Sequence, residues 1–134
     1  MKRIIIISIF SLTASFCFAQ LKELNQTQLY ENVLNIYDEG DDTYRDDKPC
    51  VVLFFSPYCQ YSKIMEKNIS AAAKKFKNDI HFYKVNVFKI DDYTMRSLGI
   101  EGTPYTGIWY DGEFELQGGV ATQEEIEEVF ELFM

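Results

Sequence analysis

Apolar residues along this chain fall into alternating helical periods and short continuous runs. Asn25 with Gln28 makes a capping box, and Leu29, Val33, Ile36 and Tyr37 follow at helical spacing. This predicts a first helix to about Asp38. Pro49 then precedes an unbroken apolar run from Cys50 to Phe55, closed by Ser56-Pro57. A run of that kind predicts a strand buried on both faces. After Cys59 a long helical pattern places Tyr61, Ile64, Met65, Ile69, Ala72, Ala73 and Phe76 on one face, with Lys63, Glu66, Lys67, Lys74 and Lys75 polar. Ile80 to Val87 reads as a second buried strand. Asp91 to Leu98 reads as a short helix stopped by Gly99. Tyr105 to Tyr110 and Glu113 to Leu116 flank Asp111-Gly112 as a hairpin. Thr122 with Glu125 caps a last helix carrying Ile126, Val129, Phe130 and Phe133. A strand–helix–strand crossover makes the two main strands parallel, and the hairpin adds an antiparallel edge. The expected fold is α/β: a central mixed sheet with helices on both faces.

The start of the chain changes the picture of where it works. Lys2 and Arg3, the apolar stretch from Ile4 to Phe10, and Cys17-Phe18-Ala19 read as a removable export signal over residues 1–19. The expected domain then occupies residues 20–134, in a periplasmic or secreted setting. The apolar stretch is too short for a membrane span, which needs about 20 residues. An uncleaved amphipathic start is one alternative. Lipid anchoring through Cys17 is another, disfavoured by the bulk of Phe16. The formal charge of −8 becomes more negative still without Lys2 and Arg3. Such a surface repels phosphate backbones, so nucleic acid is not an expected partner. The acid clusters at Glu39 to Asp47 and Glu113 to Glu131 read as solvated faces.

Cys50 and Cys59 remain beyond the signal. Extended chain between them spans on the order of 25–30 Å, far beyond the ~6 Å Cα separation of a disulfide. Cys50 reads as a small apolar core residue. Cys59 stands at a strand-to-helix junction, where unpaired N–H groups and the helix dipole favour a thiolate, the reactive form. Lys63, one turn on, adds a nearby positive charge.

The stretch Lys48 to Lys63, with Tyr58-Cys59-Gln60-Tyr61-Ser62-Lys63 at its end, resembles the strand and active-site turn of thioredoxins. The similarity continues through Val85-Asn86-Val87, Leu98 to Pro104 and the Asp111-Gly112 turn. The resemblance implies a thioredoxin fold, and a cis peptide bond before Pro104 placed against Cys59. It also implies that the exposed backbone of Thr103 pairs with a substrate strand. Two departures stand out. Ser62 occupies the place of the family's second cysteine, and Leu53 falls where many members carry a buried acid.

A Cys-x-x-Ser site can form a mixed disulfide but cannot resolve it internally. The expected function is therefore monothiol exchange on protein or low-molecular-weight disulfides. Cys59 is the nucleophile, Ser62 its hydrogen-bond donor, and Tyr58, Gln60, Tyr61, Thr103 and Pro104 meet the client. A redox-inactive binding module and a covalent client trap are the alternatives. The motif is also similar in form to monothiol glutaredoxins, whose double glycine Gly118-Gly119 could match, which would imply a shared iron–sulfur cluster. The hairpin spacing after Pro104 argues against that reading, so no cofactor is expected. His81 reads as a sheet residue and no metal site is legible. Trp109, Phe54, Phe55, Phe82 and Phe88 read as core. A monomer is expected.

Overall fold

The computed structural model describes residues 21–34 and 48–134. The export signal, Cys17, the end of the first predicted helix and the acidic segment Glu39 to Asp47 lie outside the described residues. Strand β1 (Lys22–Leu24) leads into α1 (Gln26–Leu29), which loosens into a wider π-type turn over Tyr30–Leu34. Then follow β2 (Cys50–Phe55), α2 (Gln60–Phe76), β3 (His81–Asn86), a 3-10 turn (Val87–Lys89), α3 (Asp92–Leu98), β4 (Tyr105–Tyr110), β5 (Glu113–Gly118) and α4 (Gln123–Glu131). The sheet runs β1-β3-β2-β4-β5. The first three strands are mutually parallel, while β4 runs against β2 and β5 against β4.

Every residue of β2 is buried, and its two faces feed two separate cores. Val51, Leu53 and Phe55 pack with Ile69, Phe76 and Phe130 beneath α2 and α4. Cys50, Val52 and Phe54 pack with Leu29, Val33, Val85 and Trp109 on the α1 and α3 side. Alternation of side chains along a strand divides one apolar run between two layers. Burial of each large side chain contributes about 1.5–3 kcal/mol, so this strand anchors the fold. The site sits at its C-terminal end.

The predicted helices start where their caps stand. Asn25, Asp91 and Thr122 each accept a backbone N–H from the first turn, and Asn25 and Thr122 complete capping boxes. Gly99 closes α3 at φ 81°, with its N–H bonded to Arg96 O and that of Ile100 to Met95 O. Asp111 and Gly112 both have positive φ, the geometry of a tight hairpin turn.

One strand was not expected, and two expectations need correction. Strand β1 escapes a periodicity search because it is three residues long and only Leu24 in it is buried. On α2 the buried stripe runs through Ser62, Met65, Ile69, Ala72, Ala73 and Phe76, so Tyr61 and Ile64 lie beside it and are exposed. Phe88, expected in the core, is 68% exposed on the turn after β3.

Candidate active site

The chain leaves β2 at Phe55 and turns through Ser56-Pro57-Tyr58. Cys59 N–H closes the turn on Ser56 O at 3.2 Å, and Tyr58 N–H donates to Ser56 Oγ at 3.2 Å. Cys59 is then the N-cap of α2, in extended conformation. Its half-buried sulfur sits over the first helical turn without making an ordinary cap hydrogen bond. Charge–dipole attraction from the same N–H groups still reaches a thiolate there. The Cys59 thiol is accordingly held below its usual range, chiefly by the backbone N–H of Ser62. Partial desolvation opposes this. The hydroxyls of Thr103 and Ser62 and the N–H of Tyr61 add to the lowering. Lys63 is exposed and is not among the groups that lower it. The expected contribution of that charge is replaced by hydroxyls and backbone.

Ser62 is only 1% exposed. Its Oγ accepts the N–H of Ser56 at 3.2 Å, which ties the first turn of α2 back to the end of β2. A hydroxyl has one proton to give, and with the backbone bond made as acceptor that proton is available to the Cys59 sulfur.

The Thr103–Pro104 peptide bond is cis. It brings the Thr103 carbonyl to 3.8 Å from Cys59 Sγ, where the thiol donates to it, across 44 residues of sequence. Cys59, Ser62, Thr103 and Pro104 therefore meet at one point. Pro104 is buried, whereas Tyr58 at 87% exposure, Gln60 and Tyr61, the neighbours of Cys59 in sequence, are exposed. Leu53 lies fully buried below them, so no carboxylate stands there. Farther along α2, Glu66 pairs with Lys84 at 2.7 Å, and the Lys84 ammonium lies 5.3 Å from the centre of the Phe55 ring. Cys50 and Cys59 both carry thiols. Among the described residues no cluster of three His, Cys, Asp or Glu could hold a metal ion, and no helix is long and apolar enough to cross a membrane.

Two contributors escaped the sequence reading. The Thr103 hydroxyl acts on the sulfur in addition to its carbonyl, which spacing alone does not reveal. Phe88 meets Tyr58 edge to face at 5.6 Å. Asn86 gave a signal for this, because its side chain accepts the Phe88 N–H and so ends the strand before the phenylalanine.

A cysteine capping a helix after a central strand, with its thiol against the residue before a cis-proline, defines a thioredoxin-fold thiol protein. A family model described as Thioredoxin matches residues 32–131, and the chain belongs to the thioredoxin family. The thioredoxin of Borreliella burgdorferi (strain ATCC 35210 / DSM 4680 / CIP 102532 / B31) is 26% identical over 105 residues, covering 75% of this chain and 89% of that protein. The crystal structure of chloroplastic thioredoxin z is similar with a TM-score of 0.68 at 17% identity, covering 85% of this chain and 94% of the other. Thiol–disulfide exchange on protein disulfides is the general chemistry of this family.

Proposed function

We propose that this chain is an exported, monomeric thiol–disulfide exchange protein that works through Cys59 alone. The Cys59 thiolate attacks a disulfide, a new S–S bond forms to one half, and the other half leaves as a thiolate. A second thiol, from the client or from a small molecule, then attacks the mixed disulfide and restores Cys59. The chain stores no electron pair, because Ser62 cannot become a disulfide partner. The observation that carries this reading is the site itself: an acidified cysteine against Thr103, with a buried serine at the resolving position. Support for export comes from Lys2, Arg3, the apolar stretch after them and Ala19.

The test is intact-mass analysis of the protein after mixing with a disulfide-linked peptide, beside Cys59→Ser. A peptide adduct on the native chain, absent from the variant and released by glutathione, is the expected result. Absence of any adduct would make the protein a binding module. An adduct that glutathione does not release would make it a covalent trap.

A further inference from the structure

Residues two apart on a strand share a side, so β4 turns Thr106 and Ile108 to the same face of the sheet. Ile108 joins the core beneath α2 and α4 there. Thr106 is only 6% exposed, and its Oγ1 has no hydrogen-bond partner. A buried hydroxyl left unbonded is costly, because water no longer reaches it and nothing takes the place of water. This threonine lines a cavity of about 620 Å³ between α2, β4, β5 and α4. That is the size of a small-molecule site.

The cavity has an apolar floor and an acidic rim. Met65, Ile69 and Ile126 lie buried in the floor with Thr106 and Ile108. Glu125 and Glu128 are exposed at its mouth, and none of the described residues lining it is basic. The walls are set before anything binds. Ala121 N–H donates to Met65 Sδ at 3.4 Å, and the Ala121 carbonyl accepts Asn68 Nδ2 at 2.8 Å, so the loop after β5 is tied to α2. Gly119 N–H holds the same loop to Pro104 O at 2.9 Å. Thr122 and Glu125 lock the first turn of α4 in its capping box. A site with walls fixed in this way loses little conformational freedom when a ligand enters.

We infer that this cavity is a binding site for a small amine, in which a protonated amino group sits on a short apolar or aromatic body with a hydroxyl or carbonyl oxygen at its far end. The apolar floor takes the body. Thr106 Oγ1 takes the oxygen function, since a hydroxyl can give or accept the bond. Glu125 and Glu128 attract the ammonium and repel a carboxylate in its place. Cys59, Ser62, Thr103 and Pro104 do not line the cavity, so the site stands apart from thiol exchange and does not depend on it.

The test titrates the purified protein at pH 7 with tyramine, phenethylamine and 3-(4-hydroxyphenyl)propionate, following the methyl NMR signals of Thr106, Ile108 and Ile126. Tyramine carries all three features. Phenethylamine lacks the hydroxyl, and the propionate reverses the charge. Tyramine is expected to shift these signals to saturation and to bind about fivefold tighter than phenethylamine. It is expected to bind roughly tenfold tighter than the propionate. Thr106→Val, which keeps the shape of the side chain, should abolish the preference for tyramine over phenethylamine. Glu128→Gln, on the exposed face of α4, should weaken both amines alike by about threefold, and less so at high salt. Cys59→Ser should leave every affinity unchanged, which keeps this result separate from the exchange reading. No saturable shift with tyramine, or equal affinity for all three probes, would overturn the inference. So would a preference over phenethylamine that survives Thr106→Val. Shifts confined to signals around Cys59 would assign the amine to the exchange site and overturn it too.

Discussion

Replacing Ser62 by cysteine should convert a persistent mixed disulfide into a short-lived one. Position 62 lies three residues after the N-cap cysteine on the same turn, within disulfide reach. The new thiolate would attack the Cys59 sulfur and expel the client. An unperturbed thiol is about 3% ionised at pH 7. The site is 1% exposed and Leu53 offers no proton acceptor, so burial lowers that fraction by about another tenfold. Against this, an effective concentration of only ~1 M is far below what well-oriented groups reach. Compared with about 1 mM external glutathione, itself about 3% ionised, the internal thiol should win by on the order of a hundredfold. Loss of the Ser56 N–H to Ser62 Oγ bond should lower stability by about 1 kcal/mol. The assay loads Cys59 with a peptide, adds glutathione, quenches with acid and follows the adduct by mass. A lifetime shortened less than threefold would refute the geometry or the thiolate reasoning. Further acceleration on adding Leu53→Asp would locate the deficit in proton acceptance.

Alkylation of Cys59 by iodoacetamide should have its pH midpoint below the ordinary cysteine value, because the lowered pKa puts the thiolate at lower pH; Ser62→Ala should move that midpoint upward. Gly107→Ala should cost about 2 kcal/mol and lower Tm by roughly 10 °C. Its Cβ would meet Trp109 at 2.7 Å and Phe114 at 3.0 Å, breaking into their stacked pair. Thr106→Val should raise stability by about 1 kcal/mol, read by urea unfolding, because Thr106 Oγ1 is buried without a hydrogen-bond partner. Protein isolated from its native host should begin near Gln20 by intact mass, and an N-terminus at Met1 would remove the export proposal.

Sequence reading reached furthest where a local pattern carries its own physics. The run Cys50 to Phe55 announced a doubly buried strand, and the caps at Asn25, Asp91 and Thr122 marked helix starts. The meeting of Cys59 with Thr103 and Pro104 was legible only through family resemblance, since no spacing rule joins residues 44 apart. What stayed hidden depends on tertiary placement. Tyr61 and Ile64 fit the helical period, yet the sheet beneath α2 covers Ser62 and Met65 instead. Phe88 looked like core because hydrophobicity does not say which way a turn faces. Strand β1 forms only because β3 offers it an edge.

The interior of this domain has a plain character with a broad consequence. Its buried polar side chains among the described residues are Ser56, Ser62, Thr94 and Thr106, all hydroxyls. No carboxylate, ammonium, guanidinium or imidazole is enclosed there. Shifted carboxylates lie at the surface. Asp91 is lowered first by the Thr94 N–H, and Glu127 first by the Gln123 amide. A lowered carboxyl contributes stability above its unfolded value of about 4 and loses it as pH falls through the folded value. These two contributions are therefore lost only well below neutrality. Reactivity in this molecule is tied to folding through Cys59: the bonds from Ser62 and Thr103 that favour its thiolate exist only in the folded chain, so ionising the thiol adds to stability.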